Sequence, residues 1–332
     1  MLTVGLIGAG RIGRVHASTI VQDEGSQLVA VADSVDENAK NLAKLYKVNP
    51  RSVDAIFEDN SIEAILIASS TDTHSDFIEK ASKAGKAILC EKPVDLSLAR
   101  AKRCLENTKS NEHSIMMGFN RRFDPNFVAL KNALDGGEIG TAELLSITSF
   151  DPAPPPIDYV KVSGGIFKDM MIHDFDMANF LYGELPKSIF VAASAIVDKK
   201  IGALGDYDTA VATLKYRDGR LAVIKNSRRA TYGYDQRIEV LGSKGLLQVQ
   251  NMVENCIVKS TEMGVESSKP EYFFLERYKS AYQNEWAAFV TAVKTKTPMP
   301  VSLSDGIAAL AIAEAAAASA EMGSEVEIAN FL

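Results

Sequence analysis

The sequence predicts an α/β protein: a parallel sheet covered by helices, followed by an α+β domain with a largely antiparallel open sheet. Over the first 120 residues, short and continuously apolar runs alternate with longer amphipathic ones, as expected for strands covered by helices on both faces. Beyond that point the strand-like runs partly alternate apolar and polar residues. A chain of 332 residues with 46% hydrophobic residues holds about two domains, which we place at residues 1–121 and 122–332.

In the first domain, strands and helices alternate along the chain. The predicted strands are VGLIG, QLVAVAD, IEAILIAS, KAILCEKP and SIMMGFN. The predicted helices are the segment after the first strand to about Val21, DENAKNLAKLY, HSDFIEKASKAG and LSLARAKRCLENT. Such a series builds a parallel sheet, whose ligands bind at the carboxyl ends of its strands.

In the second domain, six strands are predicted: ELLSITSF, SIFVAASAIV, TAVATLKY, LAVIKN, RIEVLG and LLQVQ. Asp218-Gly219 is a strong hairpin signal, and LGSKGL marks a second turn. One face of this sheet could pack helices, and the other could be buried against another subunit. LERYKSAYQNEWAAFVTAV and the alanine-rich segment from Asp305 onward are predicted helices.

Composition and charge exclude several classes of protein. The formal net charge of -7 argues against a basic surface for nucleic acids or anionic membranes, so neither is expected as a partner. Three cysteines without CxxC spacing support neither a disulfide framework nor a zinc site, and they fit a reducing cytoplasm. The N-terminus lacks the features of a signal peptide. The longest apolar run, IAALAIAEAAAASA, is mostly alanine and predicts a packed helix rather than a membrane span.

The first predicted turn, GAGRIG, matches the G-x-G-x-x-G pattern of dinucleotide-binding Rossmann domains. The pattern alone is weak, but here it follows a strand and opens a helix, and Asp33 lies twenty residues beyond Gly13 at the end of the second strand. Gly8 permits the tight turn, Gly10 lets the backbone approach a pyrophosphate, and Gly13 lets the helix pack closely. The sequence therefore predicts a Rossmann domain.

Asp33 also predicts which cofactor is bound. Its carboxylate can accept hydrogen bonds from both ribose hydroxyls and would repel a 2′-phosphate, and Ser34 and Val35 supply no cation to offset that repulsion. NAD is therefore favoured, while the nearby Arg11 keeps NADP open as the alternative.

Oxidation of an alcohol also needs a base for the hydroxyl proton, and the chain has four histidines. On the first helix, His16 is better interpreted as a packed residue. His113 precedes the last strand of the first domain, at the edge of the sheet away from ligands. His74 follows IEAILIAS at the ligand-binding edge; it could adjoin the cofactor, or Thr73 and Asp72 could simply cap a helix.

The fourth histidine, His173, lies in GGIFKDMMIHDFDM, four residues after Asp169. On a helix this spacing puts the two Cβ atoms roughly 5–6 Å apart, so the carboxylate could hold one imidazole nitrogen and leave the other to take a proton. Asp176 lies a further turn along. A solvated charged face is the alternative, but the flanking residues are apolar and predict a mostly buried helix. These flanking residues are Met170, Met171, Ile172, Phe175 and Met177.

A second catalytic candidate follows the strand KAILC. Lys92 should emerge at the carboxyl edge, near the nicotinamide, where its ammonium could hold a substrate oxygen and favour the developing alkoxide. A surface lysine at the start of a loop is the alternative. Two other familiar solutions are absent, because no Tyr-x-x-x-Lys pair occurs and the cysteines offer no catalytic zinc site.

Together these motifs resemble the Gfo/Idh/MocA family of NAD(P)-dependent oxidoreductases, which act on sugars, cyclitols and related polyols. The resemblance covers nearly the whole chain, because the following segments occur in the family's order and spacing: GLIGAGRIGRVHA, VAD, SSTDTH, CEKP, GFNRRFDP and GGIFKDMMIHDFDM. It implies that the lysine of EKP and the aspartate and histidine of GG-x-x-x-D-x-x-x-H are catalytic, namely Lys92, Asp169 and His173. It also implies a homotetramer formed through the sheets of the second domain.

Finer features, GFNRRFDPNF, DPAPPPIDYVKVSGGIF and YGYDQRIEVLGSKG, resemble the inositol-oxidising members of this family rather than glucose-fructose oxidoreductases. We therefore expect an NAD-dependent enzyme that oxidises a cyclitol hydroxyl, myo-inositol to 2-keto-myo-inositol, with His173 as the general base. Another polyol or sugar substrate, such as scyllo-inositol or an aldose, is the alternative within the family. A non-catalytic NAD-binding sensor is the alternative from another class.

The predicted site residues fall into two groups, and no metal ligand is predicted. The predicted cofactor contacts are Gly8, Gly10, Arg11, Ile12, Gly13, Asp33, Ser70, Thr71, His74, Glu91 and Lys92. The predicted substrate contacts are Lys92, Arg122, Asp151, Asp169, His173, Tyr234 and Asp235.

Overall fold

Two large sheets organise the chain, which the computed structural model describes from residue 1 to residue 332, and each sheet belongs to its own unit. The first unit comprises Met1–Phe123 and Ser280–Leu310, and the second comprises Asp124–Lys279 and Ala311–Leu332. The segment Ser280–Leu310 therefore packs with the first unit, although it comes late in the chain. The division into a cofactor domain, 1–121, and a substrate domain, 122–332, concerns function and stays a prediction.

Six parallel strands form the sheet of the first unit. They are β1 (Leu2–Ile7), β2 (Ser26–Ala32), β3 (Asn49–Pro50), β4 (Ala64–Ile67), β5 (Ala87–Glu91) and β6 (Ile115–Gly118). Their order is β3-β2-β1-β4-β5-β6, which confirms the predicted parallel sheet and adds the short β3. Every residue of β4, β5 and β6 is buried, as expected for strands covered on both faces.

Helices alternate with these strands: α1 (Arg11–Gln22), α2 (Asp36–Tyr46), α3 (Val53–Glu58), α4 (His74–Lys83) and α5 (Leu98–Thr108). Four of them were predicted, and α3 is additional. Strand β1 pairs with β2 on one side and with β4 on the other, so the strand order reverses between β1 and β4. Open parallel sheets bind their ligands at the carboxyl ends of the strands where such a reversal occurs.

The second unit contains a seven-stranded mixed sheet and a separate two-stranded hairpin. Its strands are β7 (Ala142–Phe150), β8 (Ser188–Ser194), β9 (Thr209–Lys215), β10 (Leu221–Ser227), β11 (Asp235–Gly242), β12 (Gly245–Val249), β13 (Val258–Thr261), β14 (Gly264–Ser267) and β15 (Val326–Glu327). The large sheet has the order β12-β11-β7-β10-β9-β8-β15, and only β7 and β10 pair in parallel. This confirms the predicted, largely antiparallel sheet. Asp218-Gly219 joins β9 to β10, as predicted, and the hairpin of β13 and β14 was not predicted.

The remaining helices are α6 (Pro125–Asp135), α7 (Ile157–Ser163), α8 (Ile172–Tyr182), α9 (Lys199–Ala203), α10 (Phe274–Arg277), α11 (Lys279–Thr295) and α12 (Leu303–Met322). By length and composition alone, α12 could cross a membrane, but 61% of its most apolar stretch is buried inside the protein. It is therefore the packed helix that its alanine-rich sequence predicts.

Candidate active site

The turn between β1 and α1 is shaped by its three glycines. Gly8 has a φ of +101°, and a Cβ on it would lie 2.3 Å from the Ala68 carbonyl oxygen. A Cβ on Gly13 would lie 1.9 Å from the Gly8 carbonyl oxygen, so α1 approaches the turn this closely only with glycine there. A Cβ on Gly10, in contrast, would meet nothing within 4 Å. The backbone at Gly10 is therefore open to a ligand.

The surroundings of this turn suit a phosphate and a ribose. Helix α1 begins after Gly10 with no side-chain cap and no acidic residue in its first turn, so its first N–H groups can face an anion. Asp33 is tied to the turn, since its Oδ2 accepts a hydrogen bond from the Ala9 N–H at 2.6 Å and its Oδ1 accepts one from Val35 N–H at 2.8 Å. A carboxylate has about four lone-pair sites, which leaves capacity for ribose hydroxyls. Arg11 is exposed and Ile12 is half-buried at the start of α1.

The segment after β4 reaches the same edge of the sheet. Ser70 is exposed, and Thr71 is half-buried in a 3₁₀ turn over Thr71–Thr73. The Thr73 hydroxyl bonds back to the Ser70 carbonyl oxygen at 2.7 Å and does not cap α4. The capping interpretation is therefore wrong for Thr73. His74 is buried, and its two ring nitrogens contact the backbone carbonyl oxygens of Pro93 and Ser69.

The other buried histidine lies on α1. His16 is packed inside the first unit, as predicted, and its Nε2 lies 2.7 Å from Glu91 Oε1. Glu91 ends β5, directly before the half-buried Lys92, whose peptide bond to Pro93 is cis. The sequence pattern did not show Glu91 as the partner of His16, because 75 positions separate the two. His113 is exposed, as predicted.

Asp169 and His173 lie in a segment that differs from the regular helix predicted there. Phe167–Met171 forms a π-helix, and α8 follows directly. A π turn holds about one more residue than an α turn and is frequent at functional sites. The flanking residues are buried as predicted, and so is Asp176, whereas Asp169 and His173 are half-buried. The flanking residues are Met170, Met171, Ile172, Phe175 and Met177.

Two side chains that the sequence analysis missed hold the Asp169 carboxylate. The Tyr159 hydroxyl donates a hydrogen bond to Asp169 Oδ1 at 2.7 Å. The Arg228 guanidinium, almost fully buried, lies 3.4 Å from Asp169 Oδ2. Arg228 directly follows β10, so the end of that predicted strand was the only sequence signal pointing to it.

Carboxylates that accept hydrogen bonds lie at both ends of this segment, the half-buried Asp206 and the buried Asp174. Asp206 Oδ1 accepts hydrogen bonds from Ile166 N–H at 2.9 Å and from Tyr207 N–H at 2.8 Å, immediately before the π-helix. Asp174, next to His173, accepts hydrogen bonds from Ser149 at 2.6 Å and from Asn226 at 2.7 Å. Asp174 thereby ties α8 to the sheet strands β7 and β10.

One edge of the seven-stranded sheet collects several predicted residues. Phe150, which ends β7, pairs with Ser227, which ends β10, and with Asp235, which begins β11. Asp151 and Tyr234 adjoin this row, and so does Arg228. The second unit thus brings Asp151, Tyr234 and Asp235 to the same edge as Arg228, the partner of Asp169.

The predicted substrate residues differ in how many contacts their side chains already make within the protein. The Asp235 carboxylate accepts hydrogen bonds from Tyr232, Arg237 and Asn251. Burial alone would raise the pKa of Asp235, but these bonds outweigh it and hold that pKa below its ordinary value. Tyr234 is buried edge-on against Phe273 and Tyr278. These contacts support a structural role for both.

Arg122, in the first unit, lies 3.2 Å from the Asp305 carboxylate. Burial would raise the pKa of Asp305, but the Arg122 charge and hydrogen bonds from Ser302 outweigh burial and lower it. Asp151 is half-buried, and its backbone N–H donates to the Ser227 carbonyl oxygen at 2.9 Å.

Comparison with known proteins identifies related sequences over the whole chain. The family model described as "Oxidoreductase family, NAD-binding Rossmann fold" matches residues 2–119, and "GFO/IDH/MocA C-terminal domain" matches residues 127–248. The chain is 47% identical to an inositol 2-dehydrogenase of Rhizobium meliloti over 98% of both chains. It is 45% identical to a myo-inositol 2-dehydrogenase of Thermotoga maritima, again over 98% of both.

A solved structure agrees with these sequence matches. The crystal structure of a myo-inositol dehydrogenase from Corynebacterium glutamicum superposes on this chain with a TM-score of 0.95 at 40% identity, over 98% of each chain. The family models and the relatives thus match the chain in sequence, and this structure matches it in fold as well.

Proposed function

The chain belongs to the Gfo/Idh/MocA family of oxidoreductases, and from this we propose that it is an NAD-dependent dehydrogenase that oxidises myo-inositol to 2-keto-myo-inositol. The observation that carries the proposal is the 47% identity to an inositol 2-dehydrogenase over 98% of both chains. The two family models, which together match residues 2–119 and 127–248 of this chain, support the same activity. The substrate class is therefore a cyclitol.

The turn after β1 fits the cofactor that the family implies. Gly10 leaves the space that a pyrophosphate needs, the N-terminus of α1 has no competing carboxylate, and Asp33 retains lone pairs for ribose hydroxyls. Ser70 and Thr71, at the end of β4, adjoin this edge. Bound there, NAD supplies the acceptor for the hydride that leaves the carbinol carbon.

For the proton, we assign roles to three side chains, as the family resemblance implies. His173 takes the hydroxyl proton, Asp169 orients the imidazole, and Lys92 holds the substrate oxygen and favours its negative charge. The half-buried state of Asp169 and His173 on an otherwise buried segment supports these roles, because a side chain must be accessible to act on a substrate. The π turn at Asp169 supports them as well.

For substrate recognition, the structure supports Asp151 and Arg122 better than the other two candidates. Both are half-buried and polar, and a cyclitol needs polar partners around its ring. Tyr234 packs among aromatic rings and Asp235 already accepts several hydrogen bonds, so direct substrate contacts from these two residues are less well supported.

We also propose a homotetramer formed through the large sheet of the second unit. Leu246, Leu241, Leu144 and Leu221 pair in one row across four strands, and each is 38–46% exposed. Phe190 and Val211 are exposed on β8 and β9. Apolar residues this concentrated mark an interaction surface. Light scattering would measure the number of subunits in the assembly.

The three cysteines are free thiols, in keeping with a cytoplasmic location.

The function is tested by measuring NAD reduction with myo-inositol, scyllo-inositol and glucose, and again with NADP. We expect the largest kcat/KM for myo-inositol with NAD, and no turnover of either inositol would reject the proposal.

His173→Ala should lower kcat by about 10²-fold or more, whereas His113→Ala, at an exposed histidine, should not change it. Full turnover by His173→Ala would favour a sensor over an enzyme. Because His173 must be neutral to take a proton, log kcat/KM should rise with pH.

A further inference from the structure

Two buried histidines outside the proposed catalytic set bracket Lys92. On one side, His16 contacts the side chain of Glu91, the residue before Lys92. On the other side, His74 contacts the backbone carbonyl of Pro93, the residue after it. Each of these histidines is 1% exposed. Half of the histidines in the chain thus bond to the immediate neighbours of a single lysine.

The contact at Glu91 is largely buried. His16 Nε2 lies 2.7 Å from Glu91 Oε1, and the imidazole packs edge-on against the Tyr282 ring at 5.4 Å between centroids. Glu91 is 8% exposed and ends β5. This contact ties the end of β5 to α1.

The contact at Pro93 depends on which nitrogen of His74 carries the proton. Nδ1 lies 2.8 Å from the Pro93 carbonyl oxygen, and Nε2 lies 3.1 Å from the Ser69 carbonyl oxygen. Burial lowers the pKa of His74 despite these carbonyl groups, so the imidazole is neutral near neutral pH and has a single N–H. Nδ1 is the ring nitrogen that faces Pro93, and Nε2 is the one that faces Ser69.

A lysine side chain has four rotatable carbons, so its ammonium is placed only as well as the backbone that carries it. Here the residues on both sides of Lys92 are held by a buried imidazole, Glu91 through its side chain and Pro93 through its backbone carbonyl group. A histidine that served packing alone would need no bond to this segment, whereas both of these histidines make one.

We propose that His16 and His74 are positioning residues that act through Lys92, fixing the backbone of Glu91 and Pro93 so that the ammonium meets the substrate oxygen. This inference rests on the proposed function, since it assumes that Lys92 holds the reacting oxygen. Neither histidine touches the substrate in this assignment.

The two ring nitrogens permit a matched test. An asparagine amide nitrogen occupies nearly the place of Nδ1, and a glutamine amide nitrogen nearly that of Nε2. His74→Asn should therefore keep the bond to Pro93, and His74→Gln should lose it while remaining polar and of similar size. At position 16 the order reverses, because the bond to Glu91 comes from Nε2: His16→Gln should keep it and His16→Asn should lose it.

We expect His74→Gln and His16→Asn to lower kcat with myo-inositol and NAD by about tenfold, the effect of one lost hydrogen bond on a positioned group. Their partners, His74→Asn and His16→Gln, should stay within about threefold of the unchanged protein. Equal losses for both amides at each position would overturn the proposal, since packing alone does not distinguish the two nitrogens. His113→Gln is the control for substitution of a histidine.

A Lys92→Met background separates this inference from the proposed function. If the histidines act through Lys92, His74→Gln should cause no further loss of kcat in that background. A further tenfold loss there would show that His74 acts by another route and would reject the inference. Full turnover by Lys92→Met alone would instead reject the role of Lys92, and this outcome is recognisable without any histidine variant.

Discussion

The turn after β1 and the π-helical segment around Asp169 are both proposed to serve catalysis, but they are built in opposite ways. The turn depends on missing side chains: glycines at positions 8 and 13 allow backbone to lie against backbone, and Gly10 leaves space. The π segment depends on side chains that converge from elsewhere, with Tyr159 and Arg228 on Asp169 and with Asp206 at its start. The first region is therefore sensitive to added volume, and the second is sensitive to lost charge.

The largest effect is expected from added volume at Gly13. In Gly13→Ala the new Cβ would lie 1.9 Å from a backbone oxygen, so α1 must shift. We expect a loss of at least about 3 kcal/mol in the free energy of unfolding, together with loss of NAD binding. Gly10→Ala has space for its Cβ and should lose at most about 1 kcal/mol, because alanine is a poorer N-cap than glycine, yet it should bind NAD more weakly because the methyl group fills the approach to the backbone.

Urea unfolding and calorimetric titration with NAD measure these two properties separately. If Gly10→Ala destabilised the fold as much as Gly13→Ala, the contrast between a packing glycine and an approach glycine would be wrong.

Lost charge should matter most at Arg228. Arg228→Met leaves Asp169 with the Tyr159 hydroxyl but without its buried cation. Removing one partner of a buried ion pair costs about 3–5 kcal/mol, and we expect about 2 kcal/mol here because the Asp169 side chain retains 14% exposure. The kcat should fall more than KM rises, since the substrate still binds while the base is no longer oriented.

Arg229→Met is the matched control for Arg228, because Arg229 is an exposed neighbour that bonds the Val197 carbonyl oxygen at 2.7 Å. The double variant Arg228→Met with Asp169→Asn should recover part of the lost stability, because no unpaired carboxylate remains. If stability did not recover, Arg228 would be stabilising something other than Asp169.

The same contrast explains what the sequence could predict. The parallel sheet, the glycine turn and Asp33 could be predicted because their signals are local. The spacing of apolar residues and of glycines within a βαβ unit involves residues close together in the sequence. Arg228 reaches Asp169 across 59 positions, and His16 reaches Glu91 across 75. No local pattern encodes such pairs, so Asp169 and His16 were predicted without their partners. The π turn was missed for a similar reason, because apolar spacing predicts an α-helix there.

The last effect, unlike those above, depends on pH: Glu285, a buried carboxyl group in the first unit, has no cation beside it, whereas Asp169 has Arg228. Glu285, on α11, is 0% exposed, and neither of its carboxyl oxygens has a hydrogen-bond partner. Burial, and then the charge of Glu91, raises the pKa of Glu285 well above its ordinary value of 4.5. The folded protein therefore keeps this proton at pH values where the unfolded chain has released it.

Stability should consequently fall as pH rises from 4.5 toward the raised pKa, by about 1.4 kcal/mol per pH unit from this group. Glu285→Gln removes the titration, so its free energy of unfolding should match that of the unchanged protein near pH 4.5 and exceed it increasingly at higher pH. Urea unfolding of both proteins at several pH values measures the difference. Parallel pH profiles would mean that Glu285 is ionised in the folded protein and that this unit, like the segment around Asp169, compensates its buried carboxylate with a charge.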